Sequence, residues 1–210
     1  MTQTKRAESL NILTHLIGVF IGIYVFKILD SYSHSIYEVV GSKIYALGFI
    51  LMFLSSSIYH ASFNKSLKKV TRLFDHVSIF VFIACSYTVV SLKILSGWRM
   101  ILLLSIVWTI AGFGLLFKII TFGKYDKTKL FSVIIYLIMG WVCIFFIRPL
   151  IALATPKFFI WLLLGGIFYS VGTIFYQKKY REFSHVIWHI FVLLGAISQF
   201  IAILTLLKEG

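Results

Sequence analysis

The sequence is poor in charge, and in acid above all. Charged residues make up 13% of the 210, against about 25% in an ordinary soluble domain, and only 7 are Asp or Glu. No polar stretch between apolar runs is long enough for a separate water-soluble domain, so a single membrane domain is expected over residues 1–210. The two cysteines, Cys85 and Cys143, fall inside apolar runs. They read as small hydrophobes and exclude a disulfide framework. An internal repeat, a low-complexity segment and a phosphate-binding glycine loop are all lacking.

What is present is apolar length, with 60% of residues hydrophobic. Seven stretches, at 10–29, 39–60, 74–95, 98–120, 130–150, 157–176 and 185–207, come close to the roughly 20 residues that carry a helix across a bilayer. They are continuously apolar and lack the alternation of barrel strands, so an all-α, seven-transmembrane helix bundle is predicted. The first run, Leu10 to Leu29, exceeds a signal-peptide core and has no small-residue cleavage site, so it should remain as a span.

The formal charge of +13 does not indicate nucleic acid, because the basic residues sit in short segments beside the spans. With the N-terminus inside, 13 of the 20 Lys and Arg fall on the inner side, against 7 outside. That excess sets the N-terminus in the cytoplasm and the C-terminus outside, in a plasma membrane. Small residues such as Gly165, Gly172 and Gly195 suit close helix packing.

Against this apolar background a few polar residues stand out. Ser56 and His60 are four apart near the inner end of the second span, and His185 and His189 are four apart at the start of the seventh. Residues at that spacing share a helix face. The assigned parity brings His60, Asp75 and His185 to one level at the cytoplasmic side. Ionisable groups inside spans are costly and usually functional. His185 and His189 can offer imidazoles to one ion, as in helical zinc motifs, and His60 a third. Three protein nitrogens and an open fourth position form the pattern of a catalytic Zn2+, and imidazole without thiolate favours zinc.

Asp75 is the one acid placed inside or at the mouth of a span, since Glu8 and the others read as loop or tail residues. It can manage the proton of an attacking water, and Ser56 can donate to an oxyanion. Taken singly, each residue has a plainer reading. His15 reads as a hydrogen-bonded bundle residue, Asp75 as a partner of Arg72 or a cap of the third helix, His76 as a support behind the site or as packing, and His34 as a solvated loop residue.

Taken together, S-S-S-I-Y-H-A, L-F-D-H-V-S-I-F-V-F-I-A-C-S-Y-T and S-H-V-I-W-H-I-F-V-L-L-G-A resemble the signature segments of the haemolysin III family. That family groups with the progestin and adipoQ receptors and, more distantly, the alkaline ceramidases. E-S-L-N-I-L-T-H-L-I-G, which contains His15, is similar to the family's first span. The resemblance implies a seven-helix fold with zinc near the cytoplasmic face, held by His60, His185 and His189, with Asp75 and Ser56 completing the site. Where the family often carries proline after S-Y-T, Val89 stands here, which leaves open the local shape of the third helix.

The expected function is a zinc-dependent membrane hydrolase, and the resemblance implies a lipid amide such as ceramide as its substrate. The alternatives are a cytolytic, pore-forming haemolysin and a membrane sensor or homeostasis protein whose zinc is structural.

Overall fold

A computed structural model describes residues 4–177 and 183–209. The inner-side basic residues Lys178, Lys179 and Arg181 lie outside the described residues. The architecture is all helical: α1 (Lys5–Ser31), α2 (Ile36–Ala61), α3 (Lys65–Ile94), α4 (Gly97–Ile120), α5 (Lys129–Trp141), α6 (Ile147–Leu153), α7 (Pro156–Gln177) and α8 (Ser184–Glu209). A tighter 3-10 turn, Val142–Phe146, joins α5 to α6. Counting α5 with that turn, seven helices among the described residues are long and apolar enough to cross a membrane. Their outer faces keep large apolar side chains exposed, such as Phe20 at 70% and Ile120 at 79%, as suits contact with lipid.

The helices start where local chemistry satisfies their free N–H groups. Thr4 accepts from the Ala7 amide to begin α1, Ser35 and Glu38 form a reciprocal capping box on α2, and Asn64 accepts from Ser66 and Leu67 to begin α3. Two of these caps move boundaries away from the hydropathy pattern. α1 begins five residues before its apolar run, and α3 nine before, so Glu8 is a helical residue and not a tail residue. α3 continues unbroken through Val89 to Ile94, with Val89 buried.

α1, α2 and α3 pack closely. A Cβ at Gly18 would lie 2.3 Å from the Phe53 ring, and one at Gly48 would lie 2.8 Å from Cys85 Sγ. The register of α2 on α3 is fixed by Ser55 donating to Ser78 at 2.8 Å and Thr71 donating to Ser62 at 3.3 Å. Both pairs obey one antiparallel alignment, which sets Asp75 opposite Ile58, midway between Ser56 and His60. One core joins Tyr45, Phe49, Phe53 and Phe82 to α1 and α8. A second centres on Phe80, with side chains of α4, α5 and α6.

Candidate metal centre

Four helices converge on one end of the bundle, the end that carries the basic residues of α1 and α3. α2 brings His60, and the first turns of α8 bring His185 and His189. One ligand-type atom from each of these three lies within 4.8 Å of the others. The His189 and His185 Nε2 atoms are 3.1 Å apart. The His60 ring lies 5.2 Å from that of His185 and 4.9 Å from that of His189, centroid to centroid.

His60 is held from behind. Its Nδ1 meets Glu8 Oε2 at 2.5 Å, with Asn11 Nδ2 at 3.5 Å, and Lys68 Nζ donates to the other Glu8 oxygen at 2.6 Å. A carboxylate on Nδ1 orients the ring and leaves Nε2 as the free lone pair. That Nε2 is buried without a hydrogen-bond partner among the described residues. A buried imidazole nitrogen with nothing to bond, facing two other imidazoles, fits a metal ligand. The all-nitrogen donor set fits zinc.

Ser56, Asp75, His185 and His189 line one cavity of about 1200 Å3. Asp75 and His185 keep some accessible surface although they sit deep in the bundle, and the cavity is what that surface faces. The Ser56 hydroxyl is buried with no hydrogen bond of good geometry and turns toward the Asp75 carboxyl. From this polar end the cavity runs past Phe82 and Leu103 to Leu150 and Phe158, near the opposite end of the bundle. Most of its wall is apolar.

Both plainer readings of Asp75 fail against the geometry. Arg72 instead donates to Asp126 at 2.5 Å, and the α3 cap is Asn64, eleven residues earlier. The same Arg72 hydrogen bond holds the Asp126 carboxyl below the ordinary carboxylate range.

His15 also departs from expectation. Neither of its ring nitrogens is hydrogen-bonded among the described residues. The ring stacks on His189 at 3.7 Å, packs edge-on against Phe53 at 5.0 Å, and lines the cavity. His76 packs against the Tyr125 ring at 5.1 Å, as a packing residue should, although its Nδ1 has no partner. His34 is exposed.

Glu8 is the residue that hydropathy hides. The signal that finds it is local: Thr4 as a cap, helix-favouring residues behind it and an acid in the first turn. Glu8, Asn11 and His15 then fall on one helical face at spacings of three and four.

Residues 3–200 match the family described as Haemolysin-III related. The chain is 39% identical over 204 residues to the "Hemolysin-3 homolog" of Bacillus subtilis (strain 168), covering 96% of this chain and 94% of that protein. To "Hemolysin-3" of Bacillus cereus it is 36% identical over 210 residues, with 97% and 93% covered. The human "Monocyte to macrophage differentiation factor" is 28% identical over 203 residues, 92% of this chain and 81% of that protein.

Proposed function

The chain belongs to the haemolysin-III related family of membrane proteins, and we propose that within it this protein is a zinc-dependent hydrolase of a lipid amide, with the histidine end of the bundle facing the cytoplasm of a plasma membrane. The observation that carries the proposal is the cluster His60, His185 and His189, with ligand atoms within 4.8 Å, at the polar mouth of a long apolar cavity that Asp75 and Ser56 also line.

The three histidines hold the ion, and Glu8 fixes the tautomer and aim of His60. Zinc held by these residues would supply Lewis-acid chemistry. Asp75 accepts the proton of the attacking water and returns it to the leaving nitrogen. Ser56 donates a hydrogen bond to the oxygen on which negative charge develops. The apolar wall receives a hydrocarbon chain and keeps bulk water from the reacting end. The basic mouth, with Lys5, Lys68 and Arg72, lies at the headgroup level of an inner leaflet.

The test is turnover of an N-acyl lipid amide by purified protein with and without Asp75→Asn, zinc content being measured on both. Zinc kept and turnover lost is the expected pair of results, and full turnover by the variant would refute the mechanism.

The names of the Bacillus relatives, both hemolysins, carry a second reading, lysis of membranes. Dose-dependent dye release from liposomes that survives metal removal would favour it over hydrolysis.

A further inference from the structure

The cavity contains a second polar station that the proposed reaction leaves unused. Ser86 of α3, Tyr169 of α7 and Gln199 of α8 all line it, well away from the histidines. Ser86 lies eleven residues beyond Asp75 on α3, a rise of about 16 Å, and Gln199 ten beyond His189 on α8, about 15 Å. Two independent helices therefore give one depth. Between the stations the wall is carried by apolar side chains such as Ile79, Phe82, Ile83 and Val192.

Polar side chains at mid-span are expensive unless they are hydrogen-bonded. These three are only partly satisfied. The Ser86 hydroxyl donates to the Phe82 carbonyl at 2.9 Å and reaches Gln199 Oε1 only at 3.4 Å. The Tyr169 hydroxyl is buried with no partner among the described residues. The Gln199 amide nitrogen makes no hydrogen bond among the described residues, and its side chain faces the cavity.

The packing of α7 on α8 also makes room for this arrangement. A Cβ at Gly195 would sit 2.8 Å from the Tyr169 ring, and one at Gly165 would sit 3.1 Å from Gln199 Cγ. A larger residue at position 195 would displace the Tyr169 ring. At position 165 it would crowd the Gln199 side chain.

We propose that Ser86, Tyr169 and Gln199 form a hydrogen-bonding subsite for a hydroxyl group carried in mid-chain by the lipid whose polar end reacts at the histidines. The inference rests on the reading of the cavity as a lipid site. Tyr169 and the Gln199 amide can donate, and Gln199 Oε1 can accept, so the subsite suits a group that does both. A separation of about 16 Å along the helices corresponds to roughly a dozen chain carbons.

The test is equilibrium binding of stearate and of stearate with a mid-chain hydroxyl to the purified full chain, each by displacement of a fluorescent fatty acid. The parent should bind the hydroxylated acid about tenfold more tightly, the discrimination that one or two hydrogen bonds provide. Tyr169→Phe, which keeps the ring, and Gln199→Leu should bring that ratio close to one while leaving stearate affinity unchanged, a result that also certifies their fold. Equal affinities in the parent, as when water alone fills the station, would overturn the subsite and leave the lipid cavity standing. A preference that survives both variants would overturn it equally. Binding of neither acid would overturn the subsite together with the reading of the cavity.

Discussion

The two ends of the bundle use the same residue types to opposite effect. At the end away from the histidines, Glu38 accepts from the His34 and Ser35 amides at 2.7 and 3.3 Å and from Lys93 Nζ at 3.0 Å. Both of its oxygens are engaged and the capping box is closed. At the histidine end Glu8 is just as fully engaged, by His60 and Lys68, yet its neighbours are not. His60 Nε2 and both nitrogens of His15 are buried with no hydrogen-bond partner among the described residues. Each such group costs on the order of 1–3 kcal/mol. One carboxylate closes a fully satisfied cap, and the other holds an imidazole whose second nitrogen has no partner among the described residues.

That contrast can be broken experimentally. The largest effect should come from Asp75→Asn, which should lower amide turnover about 100-fold or more with zinc content unchanged. Ser56→Ala should follow, with a loss of about 100-fold in turnover and little change in KM if the hydroxyl acts on the developing oxyanion alone. Glu8→Gln should weaken zinc binding by about 10- to 100-fold in a chelator competition and lower the melting temperature of the metal-free protein only modestly, because its partner Lys68 is 33% exposed.

Glu38→Ala should do the reverse. It should destabilise the protein by on the order of 3 kcal/mol, because Lys93 loses its buried partner, and leave zinc affinity untouched. If zinc binding followed Glu38 as strongly as Glu8, the two ends would not be distinct.

The smallest effect belongs to Asp126, whose side chain is 69% exposed beside Arg72. Its folded-state value is lowered by that hydrogen bond, so its contribution is present above the ordinary carboxylate range and is lost as pH falls through the lowered value. Asp126→Asn should cost below about 1 kcal/mol and remove that part of the acid sensitivity, as read from melting temperatures at neutral and acidic pH.

Hydropathy was enough to read the seven crossing helices, because an apolar run of that length has few other uses. The pairing of His185 with His189 was legible from spacing alone. The meeting of that pair with His60 followed from the span count, which brings residues far apart in sequence to one level. What escaped was set by contacts no window contains. Glu8 sits ahead of its apolar run, in a turn made helical by the Thr4 cap. Asp75 could be freed from Arg72 only once Asp126, between α4 and α5, was seen to take the guanidinium. The stacking of His15 on His189 at 3.7 Å depends on α1 packing against α8, a fact of tertiary structure. The break after α5 into a 3-10 turn has no counterpart in an uninterrupted apolar run.

The central claim is that the three histidines form a zinc site, and metal analysis of the purified protein tests it most directly, parent against His185→Ala. About one zinc per chain is expected in the parent and nearly none in a variant that still folds. A well-folded parent without zinc, or a variant that keeps it, would contradict the account.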